Sequence, residues 1–324
     1  MKVAVGISGG VDSAVAALLL KEQGHEVVGV TMALGRADEA KSLAEAKSAA
    51  ARLAIPLEVF DFSAEWSRDI LQYVSDSYLG GQTPNPCVRC NETVKFGLLP
   101  RAAFALGCER FATGHYARVV SRLSSPVLLR AVDRTKDQSY FLYRVKPEIL
   151  AKTIFPLGGL TKDEVRAKAR AFGLASADKG DSQDFCGGDL RKIVGAPDRE
   201  GEVVTVDGKV IGRHRGYWNY TVGMRKGLGI GGGTPYYVVA LDAAANRVVV
   251  GFKADAVRYD LELTDTVGTI DKTLPVKVRS AGEPRLLKDG IAGIAPGQSA
   301  VFYDGDTVVG GGVITIERAE DIAH

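Results

Sequence analysis

The chain has 324 residues, 46% hydrophobic and 25% charged, with a formal net charge of +2: a soluble globular protein of two or three domains. No uninterrupted apolar run reaches membrane-spanning length, so no transmembrane helix and no membrane partner are expected. Four cysteines in a chain this long exclude a disulfide scaffold and point to the reducing cytoplasm, and the near-neutral charge leaves any nucleic-acid partner to local patches.

Val3-Ala4-Val5 reads as a strand. Gly6-Ile7-Ser8-Gly9-Gly10-Val11-Asp12-Ser13 follows directly, and Val15-Ala16-Ala17-Leu18-Leu19-Leu20 continues to a stop at Gly24. The pattern predicts a strand, a glycine-rich turn and a helix, and its position leaves no room for a removable signal peptide. Such a turn aims free backbone N–H groups and the positive end of a helix at one spot, which suits phosphate. Glycines let the backbone approach closely, Ser8 and Ser13 add hydroxyls, and the Asp12 carboxylate can engage Mg2+ on the phosphates. No Gly-Lys-Ser/Thr follows, so this is not the Walker lysine loop. The Ser-Gly-Gly-x-Asp-Ser pattern instead resembles the pyrophosphate loop of enzymes that split ATP into AMP and pyrophosphate.

Strands are predicted at 25–32, 57–62 and 110–113, with helices at 37–53 and 64–78. This alternation implies an α/β fold with a doubly wound, mostly parallel sheet, whose ligands bind beyond the carboxyl ends of the strands. Thr161-Lys162-Asp163-Glu164 forms a capping box opening a helix that ends near Gly173. After about residue 195 helical patterns vanish, and short Val-, Ile- and Tyr-rich runs alternate with turn residues at 203–211 and 236–251. Residues 255–259 make a joint, and runs at 261–270, 276–280, 299–303 and 311–317 predict a small barrel. The expected division is 1–195, an ATP-pyrophosphatase-type catalytic domain; 196–256, a small central β-rich domain; and 257–324, a C-terminal β-barrel.

Cys87 and Cys90 stand in Thr83-Pro84-Asn85-Pro86-Cys87-Val88-Arg89-Cys90-Asn91, whose prolines and asparagines predict a loop. Cys186, in Asp181-Ser182-Gln183-Asp184-Phe185-Cys186-Gly187-Gly188, is also loop-like, and Cys108, at the end of a helical pattern, reads as a packed residue. A lone Cys-x-x-Cys fits a redox pair, half a zinc site or part of an iron–sulfur site. Three loop cysteines on an ATP-splitting scaffold suggest sulfur chemistry, because a thiolate can attack, carry a persulfide or close a disulfide. A thiolate is a good nucleophile at neutral pH if a Lys, His or helix end lowers its pKa. Residues 208–241 contain no Asp or Glu but hold Lys209, Arg213, His214, Arg215, Arg225 and Lys226 together with Tyr217, Trp218, Tyr220, Tyr236 and Tyr237. Cations neutralise phosphates and aromatics stack on unpaired bases; a solvated basic face over a β core is the alternative.

These blocks, with Ala112-Thr113-Gly114-His115-Tyr116-Ala117, Lys136-Asp137-Gln138-Ser139-Tyr140-Phe141-Leu142, the stretch 220–230 and the stretch 296–312, resemble the tRNA-specific 2-thiouridylases along nearly the whole chain. The resemblance implies an adenine nucleotide α-hydrolase-like N-terminal domain, a central tRNA-contacting domain and a C-terminal barrel. It implies that ATP adenylates the carbon-2 oxygen of the wobble uridine of certain tRNAs and that sulfur then replaces that oxygen. It places ATP on Gly6, Ile7, Ser8, Gly9, Gly10, Val11, Asp12 and Ser13, with Met32 and Gly114 near the nucleotide. Asp12 is expected to take part in the reaction, Cys90 matches the nucleophilic cysteine, and Cys186 matches the persulfide carrier. Asn85, Pro86 and Cys87 would meet the target base. His115, Lys136, Asp137, Gln138 and Gln298 match tRNA or base contacts, and Arg279 and Ser280 match a barrel contact. The implied cofactors are ATP and Mg2+, and the implied partners are tRNA and a sulfur-donor protein, either a relay carrier or a cysteine desulfurase. The chain departs from the family pattern at Cys87, where many members carry Asp; with Cys90 and Cys186 it makes three thiols able to hold a [4Fe–4S] cluster, an alternative to the persulfide route. It departs also at Gly187-Gly188, where Phe is usual after the second cysteine, and at Met224, where Gln is usual. An ATP-pyrophosphatase ligase acting on a small metabolite is the more remote alternative.

Overall fold

A computed structural model describes residues 1–122, 125–174, 190–230 and 234–315. Its contacts divide the chain into two compact units, one of Met1–Ile70, Cys87–Gly187 and Gly305–Val308, the other of Leu71–Pro86, Gly188–Asp304 and Val309–His324.

In chain order, β1 (Lys2–Gly6), α1 (Val11–Glu22), β2 (Glu26–Ala33), α2 (Glu39–Arg52) and β3 (Leu57–Asp61) come first. The helical stretch after β3 consists of α3 (Ser63–Trp66), a π-helical turn (Ser67–Leu71) and α4 (Gln72–Leu79). Next come α5 (Pro86–Cys90), a second π-helical run (Asn91–Leu98), α6 (Leu99–Ala105), β4 (Arg110–Ala112), β5 (Ala117–Arg122) and β6 (Ser125–Arg130). α7 (Pro147–Leu150), β7 (Thr153–Ile154) and α8 (Lys162–Ala171) complete the first unit.

Five strands form its sheet in the order β3-β2-β1-β4-β7, every pair parallel. The predicted doubly wound fold is therefore present. Val3 and Val5 pack into one core and Ala4 into the other, as the alternation of a strand covered on both faces requires. α1 lies in the first core; every residue from Val11 to Leu20 except Asp12 and Leu19 is buried. Strand order reverses at β1, since β2 lies on one side of it and β4 on the other, so the turns after β1 and β4 flank the switch point. Phe111 of β4 is fully buried and meets Phe96 edge to face at 5.9 Å. The tightly paired β5–β6 hairpin and the short β7 carried no clear period in the sequence.

The second unit is β-rich apart from α4 and α9 (Leu190–Val194). β8 (Gly201–Thr205), β9 (Val210–His214), β10 (Tyr237–Asp242) and β11 (Arg247–Gly251) form a sheet in the order β10-β11-β8-β9. The predicted turn at Asp207-Gly208 joins β8 to β9, and Gly208 takes φ +82° there. Within the joint at 255–259 lies the short β12 (Val257–Arg258), paired with β15 (Ile291–Ala292). β13 (Glu262–Gly268), β14 (Val276–Lys277), β16 (Ser299–Asp304) and, from Val309 on, β17 (Thr307–Thr315) supply the remaining strands; β14 pairs with β16, and β13 with β17. The run predicted at 276–280 stops after two residues because the chain turns at exposed Arg279 and Ser280. Among the described residues no helix is long and apolar enough to cross a membrane.

Phe111→Ala is expected to lower stability by about 3–5 kcal/mol, since it empties a fully enclosed site between the sheet and the π-helical run. Urea unfolding followed by circular dichroism measures this; a loss below about 1 kcal/mol would contradict the packing.

Candidate functional site

The turn after β1 is built from its own hydroxyls. Ser13 Oγ accepts the Ser8 N–H at 3.2 Å and donates to the Gly10 carbonyl at 3.1 Å, while Ser8 Oγ lies 3.2 Å from it. Gly9 adopts φ +79°, and a Cβ there would fall 2.5 Å from Glu45 Cβ. Gly10 caps α1 in extended conformation with no side-chain cap bond, and the turn leads straight into the positive end of the helix. Ile7 ties the turn to β2 by donating to Val30 O at 2.8 Å. Met32, at the carboxyl end of β2, is half-buried. These features fit a phosphate group: a close backbone approach, the positive end of a helix and a half-exposed carboxylate, Asp12, within the first turn.

The turn after β4 closes on the same place. A Cβ on Gly114 would sit 2.7 Å from Asp12 C and Ser13 N, so residue 114 must be glycine for the two turns to meet. Tyr116 donates its hydroxyl to Asp12 Oδ1 at 2.9 Å, and Lys162 Nζ lies 2.8 Å from both Asp12 oxygens. Neither residue stands out in the sequence as a site residue. Lys162 is visible there only as the first residue inside a capping box, and no local pattern links it to Asp12.

His115, between Gly114 and Tyr116, is wedged against Phe96 and Phe155, with ring centroids at 5.5 and 6.3 Å, and its Nδ1 is 2.8 Å from Thr113 Oγ1. Burial, reinforced by the Lys95 cation, lowers its pKa to about 3, so the imidazole is neutral at physiological pH and takes part as a neutral hydrogen-bonding ring. Its partner Phe96 belongs to the π-helical run that begins directly after Cys90.

The cysteine segment corrects the predicted loop. Residues 83–85 are irregular, but Pro86 starts α5 and Cys87 and Cys90 lie one turn apart on it. Proline reads as a breaker, yet its fixed φ suits the first helical position, where its missing N–H costs nothing. Cys90 is 5% exposed and Cys87 half-buried. Burial pushes both thiols up; Lys95 pulls both down, and Cys90 is also eased by Arg36 and by a hydrogen bond from the Lys95 backbone. Burial outweighs the Lys95 cation, so both remain thiols at rest. Lys95 escaped notice because it is five residues after Cys90, a spacing that faces back only in a π-turn. Cys186 lies outside the described residues. Cys108 is buried in the core, as read from the sequence.

Asp137 is fully buried as a side chain and faces inward. It accepts from Ala131 N at 3.0 Å and Ser139 Oγ at 2.9 Å, and pairs with Arg130 at 3.4 Å. Gln138 Oε1 accepts from Tyr116 N at 2.9 Å, and Lys136 is half-buried. The triplet thus braces the turn that carries His115.

In the second unit, Gln298 Nε2 donates to the carbonyls of Thr83 and Pro84 at 3.2 and 2.9 Å, pinning the chain that leads through Asn85 and Pro86 into Cys87. Asn85 is buried, and its backbone N–H donates to the Tyr73 hydroxyl at 3.3 Å. Arg279 donates to Val222 O at 2.8 Å and Gly293 O at 3.1 Å, binding loops together, while Ser280 is exposed. In the basic stretch two of the rings part from the cations, while Tyr220, Tyr236 and Tyr237 are half-buried. Lys209, Arg213, Arg215, Arg225 and Lys226 are exposed, whereas Tyr217 and Trp218 are buried in the core and His214 is buried beside them. Met224 also packs against that core. Among the described residues no three His, Cys, Asp or Glu side chains gather into a metal-holding group.

The chain matches three family models: the tRNA methyl transferase HUP domain over residues 1–187, the tRNA methyl transferase PRC-barrel domain over 190–252, and the aminomethyltransferase beta-barrel domain over 286–314. It is 42% identical to the tRNA-specific 2-thiouridylase MnmA of Endomicrobium trichonymphae, over 97% of this chain and 99% of the relative. It is 43% identical to the protein of that name from Synechocystis, over 98% of both chains, and 43% identical to that of Rhodospirillum centenum, over 98% of this chain and 92% of the relative.

Alkylation by iodoacetamide checks the electrostatics of the thiols. At pH 7, Cys90 and Cys87 are expected to react more slowly than free cysteine, with the reaction midpoint displaced to higher pH; Lys95→Met is expected to displace it further, because it removes a cation that favours the thiolate. A midpoint below that of free cysteine, or one unmoved by Lys95→Met, would contradict this.

Proposed function

This chain belongs to the tRNA-specific 2-thiouridylase family, and we propose that its phosphate turn and its cysteine helix perform the two halves of one reaction, the ATP-dependent 2-thiolation of the wobble uridine in tRNA. The observation that carries this reading is the tripeptide Gly114-His115-Tyr116. Gly114 abuts Asp12 and Ser13, Tyr116 hydrogen-bonds Asp12, and His115 between them rests on Phe96 of the run that follows Cys90. One rigid turn thus links the place where a phosphate fits to the place where a thiol waits.

In the first half, ATP lies on Gly6 to Ser13 with Met32 and Gly114 beside it, the turn's N–H groups holding its phosphates. Mg2+, for which Asp12 is the available carboxylate, supplies charge neutralisation on the phosphates when bound. The uridine carbon-2 oxygen bonds to the α-phosphorus, pyrophosphate leaves, and an oxygen that departs poorly becomes part of AMP. The base must leave the anticodon stack to reach the site, which costs least in a single-stranded loop. Asn85, Pro86 and Cys87 receive it, with His115 as a neutral hydrogen-bonding ring. Lys136 and Gln138 serve from the adjoining turn, and Asp137 acts by holding that turn.

In the second half, a persulfide on Cys186, loaded by a sulfur-donor protein, gives its outer sulfur to carbon 2, and AMP departs with the original oxygen. Cys90 then attacks the inner sulfur, which frees the thiouridine and leaves a Cys90–Cys186 disulfide for a cellular dithiol to reduce. A buried, protonated Cys90 suits a group that must stay silent until the adenylated base arrives. Gln298 positions the segment leading to Cys87, and Arg279 and Ser280 lie in the barrel module. The modules follow 1–195, 196–256 and 257–324, the exposed cations of the central one neutralising tRNA phosphates. Thiolation is preferred to the methyl transfer that the matched domains' names suggest, because a phosphate cradle and buried thiols are parts that an ATP-driven sulfur transfer needs and methyl transfer does not.

Cys87, one turn before Cys90, keeps a second reading in view: a [4Fe–4S] cluster on Cys87, Cys90 and Cys186. Cys87 and Cys90, one turn apart on α5, would supply two of its three thiols, and no step is derived through a cluster. Protein purified without oxygen is expected to be iron-free and still thiolate tRNA; stoichiometric iron and acid-labile sulfide, lost in Cys87→Ala, would install the cluster instead.

Cys90→Ala is expected to abolish 2-thiouridine, measured by mass spectrometry of digested tRNA, while tRNA binding persists. Asp12→Ala is expected to cut AMP formation about 100-fold or more. Wild-type thiolation by Cys90→Ala, or wild-type AMP release by Asp12→Ala, would overturn the assigned role.

A further inference from the structure

Lys162 has no part in the reaction as described so far, yet its placement is costly. Lysine is rarely buried without a compensating partner, and Lys162 is only 5% exposed. Its ammonium faces a carboxylate of the phosphate turn, 2.8 Å from each oxygen of Asp12, across 150 positions of sequence. It also stands 5.7 Å from the centre of the Tyr116 ring, whose hydroxyl donates to the same carboxylate. The start of α8 is fixed on both sides: Thr161 and Glu164 close a complete capping box, and the Lys162 backbone N–H donates to Asp133 at 3.0 Å. The fold therefore delivers one buried cation to the edge of the phosphate turn and holds it there.

The turn itself contains no lysine or arginine. Cleavage of ATP to AMP and pyrophosphate places new negative charge on the departing group, and catalysis of phosphoryl chemistry is largely the stabilisation of such charge. Asp12 cannot supply it. Lys162 can, and its present partner is a half-exposed carboxylate from which it can turn away.

We propose that Lys162 is the cationic residue of the phosphate turn. Without nucleotide it holds Asp12; with ATP bound its ammonium exchanges the carboxylate for the phosphate chain and hydrogen-bonds the leaving pyrophosphate, while Tyr116 keeps Asp12 oriented. The inference rests on the proposed thiolation. In the step concerned, the uridine carbon-2 oxygen forms a bond to the α-phosphorus, and the bond from that phosphorus to the α–β bridging oxygen breaks. The electron pair of the broken bond leaves with pyrophosphate, and the uracil N3 proton passes to solvent. Nothing is oxidised or reduced, and Lys162 stays protonated throughout.

The test is single-turnover formation of AMP and pyrophosphate from ATP in the presence of tRNA, with inhibition by inorganic pyrophosphate and tRNA binding measured on the same preparations. Lys162→Met is expected to lower the rate about 100-fold and to weaken pyrophosphate inhibition about tenfold or more, with tRNA affinity unchanged. Lys162→Arg keeps the charge, but its fork locks onto a carboxylate and releases it less readily, so both effects are expected in milder form. A residue that merely braced the fold would leave the folded variant with wild-type pyrophosphate inhibition, and that result overturns the proposal. If Lys162→Met does not fold, Lys162→Arg decides: a drop in rate and in pyrophosphate inhibition supports the role, and wild-type values for both defeat it. Wild-type protein that forms no AMP with tRNA defeats the thiolation reading itself. Wild-type protein that does, beside an equally fast Lys162→Met, defeats only the role of Lys162.

Discussion

A Cβ at residue 114 would stand 2.7 Å from the backbone of Asp12 and Ser13. That contact ties together most of what matters in the first unit. It requires a glycine after β4, it brings the turns after β1 and β4 into touch at the point where strand order reverses, and it fixes where His115 and Tyr116 point. Tyr116 is thereby delivered to Asp12, and His115 to the aromatic ring that follows the cysteine helix. The buried Asp137 network supports the same turn from below through Gln138, whose side chain accepts the Tyr116 N–H. The proposed phosphate turn and the residues beside the cysteine helix are thus joined through one close backbone contact.

The electrostatics around the thiols set their resting state. Burial raises Cys87 and Cys90, and Lys95 opposes it without winning. A permanently ionised cysteine would be open to oxidation and to any electrophile. A protonated one is protected, and Lys95, Arg36 and the Lys95 backbone N–H stand ready to favour the anion once the local environment changes. His115 cannot provide that activation by changing charge, because its imidazole is already neutral far below physiological pH.

Much of this was legible in the sequence where a local pattern carries a physical meaning. The strand–turn–helix at the phosphate site, the capping box at Thr161 and the Asp207-Gly208 hairpin each follow from chemistry within a few residues. The failures share one cause, the decisive partner being distant or the period unusual. Cys87 and Cys90 read as loop because Pro84 and Pro86 flank them, although Pro86 is a helix opener. Lys95 matters through a π-turn that no 3.6-residue period reveals. Lys162 meets Asp12 only after the sheet is assembled. Tyr217 and Trp218 read as stacking platforms because composition does not say which way a side chain faces; both entered the core. Family resemblance pointed to Asp137, Gln298 and Arg279 as contacts, but it did not show that Asp137 is buried in its own turn and that Gln298 and Arg279 hold backbone carbonyls.

The central claim is that ATP activates the carbon-2 oxygen of the uridine and that sulfur then displaces it. Transfer RNA carrying 18O at that position, incubated with the enzyme, ATP and a persulfide donor, tests it most directly by mass spectrometry of the AMP produced. The account predicts one 18O atom in AMP for each 2-thiouridine formed. Unlabelled AMP accompanying normal thiolation would contradict it, because the oxygen would then have left by a route that ATP does not share.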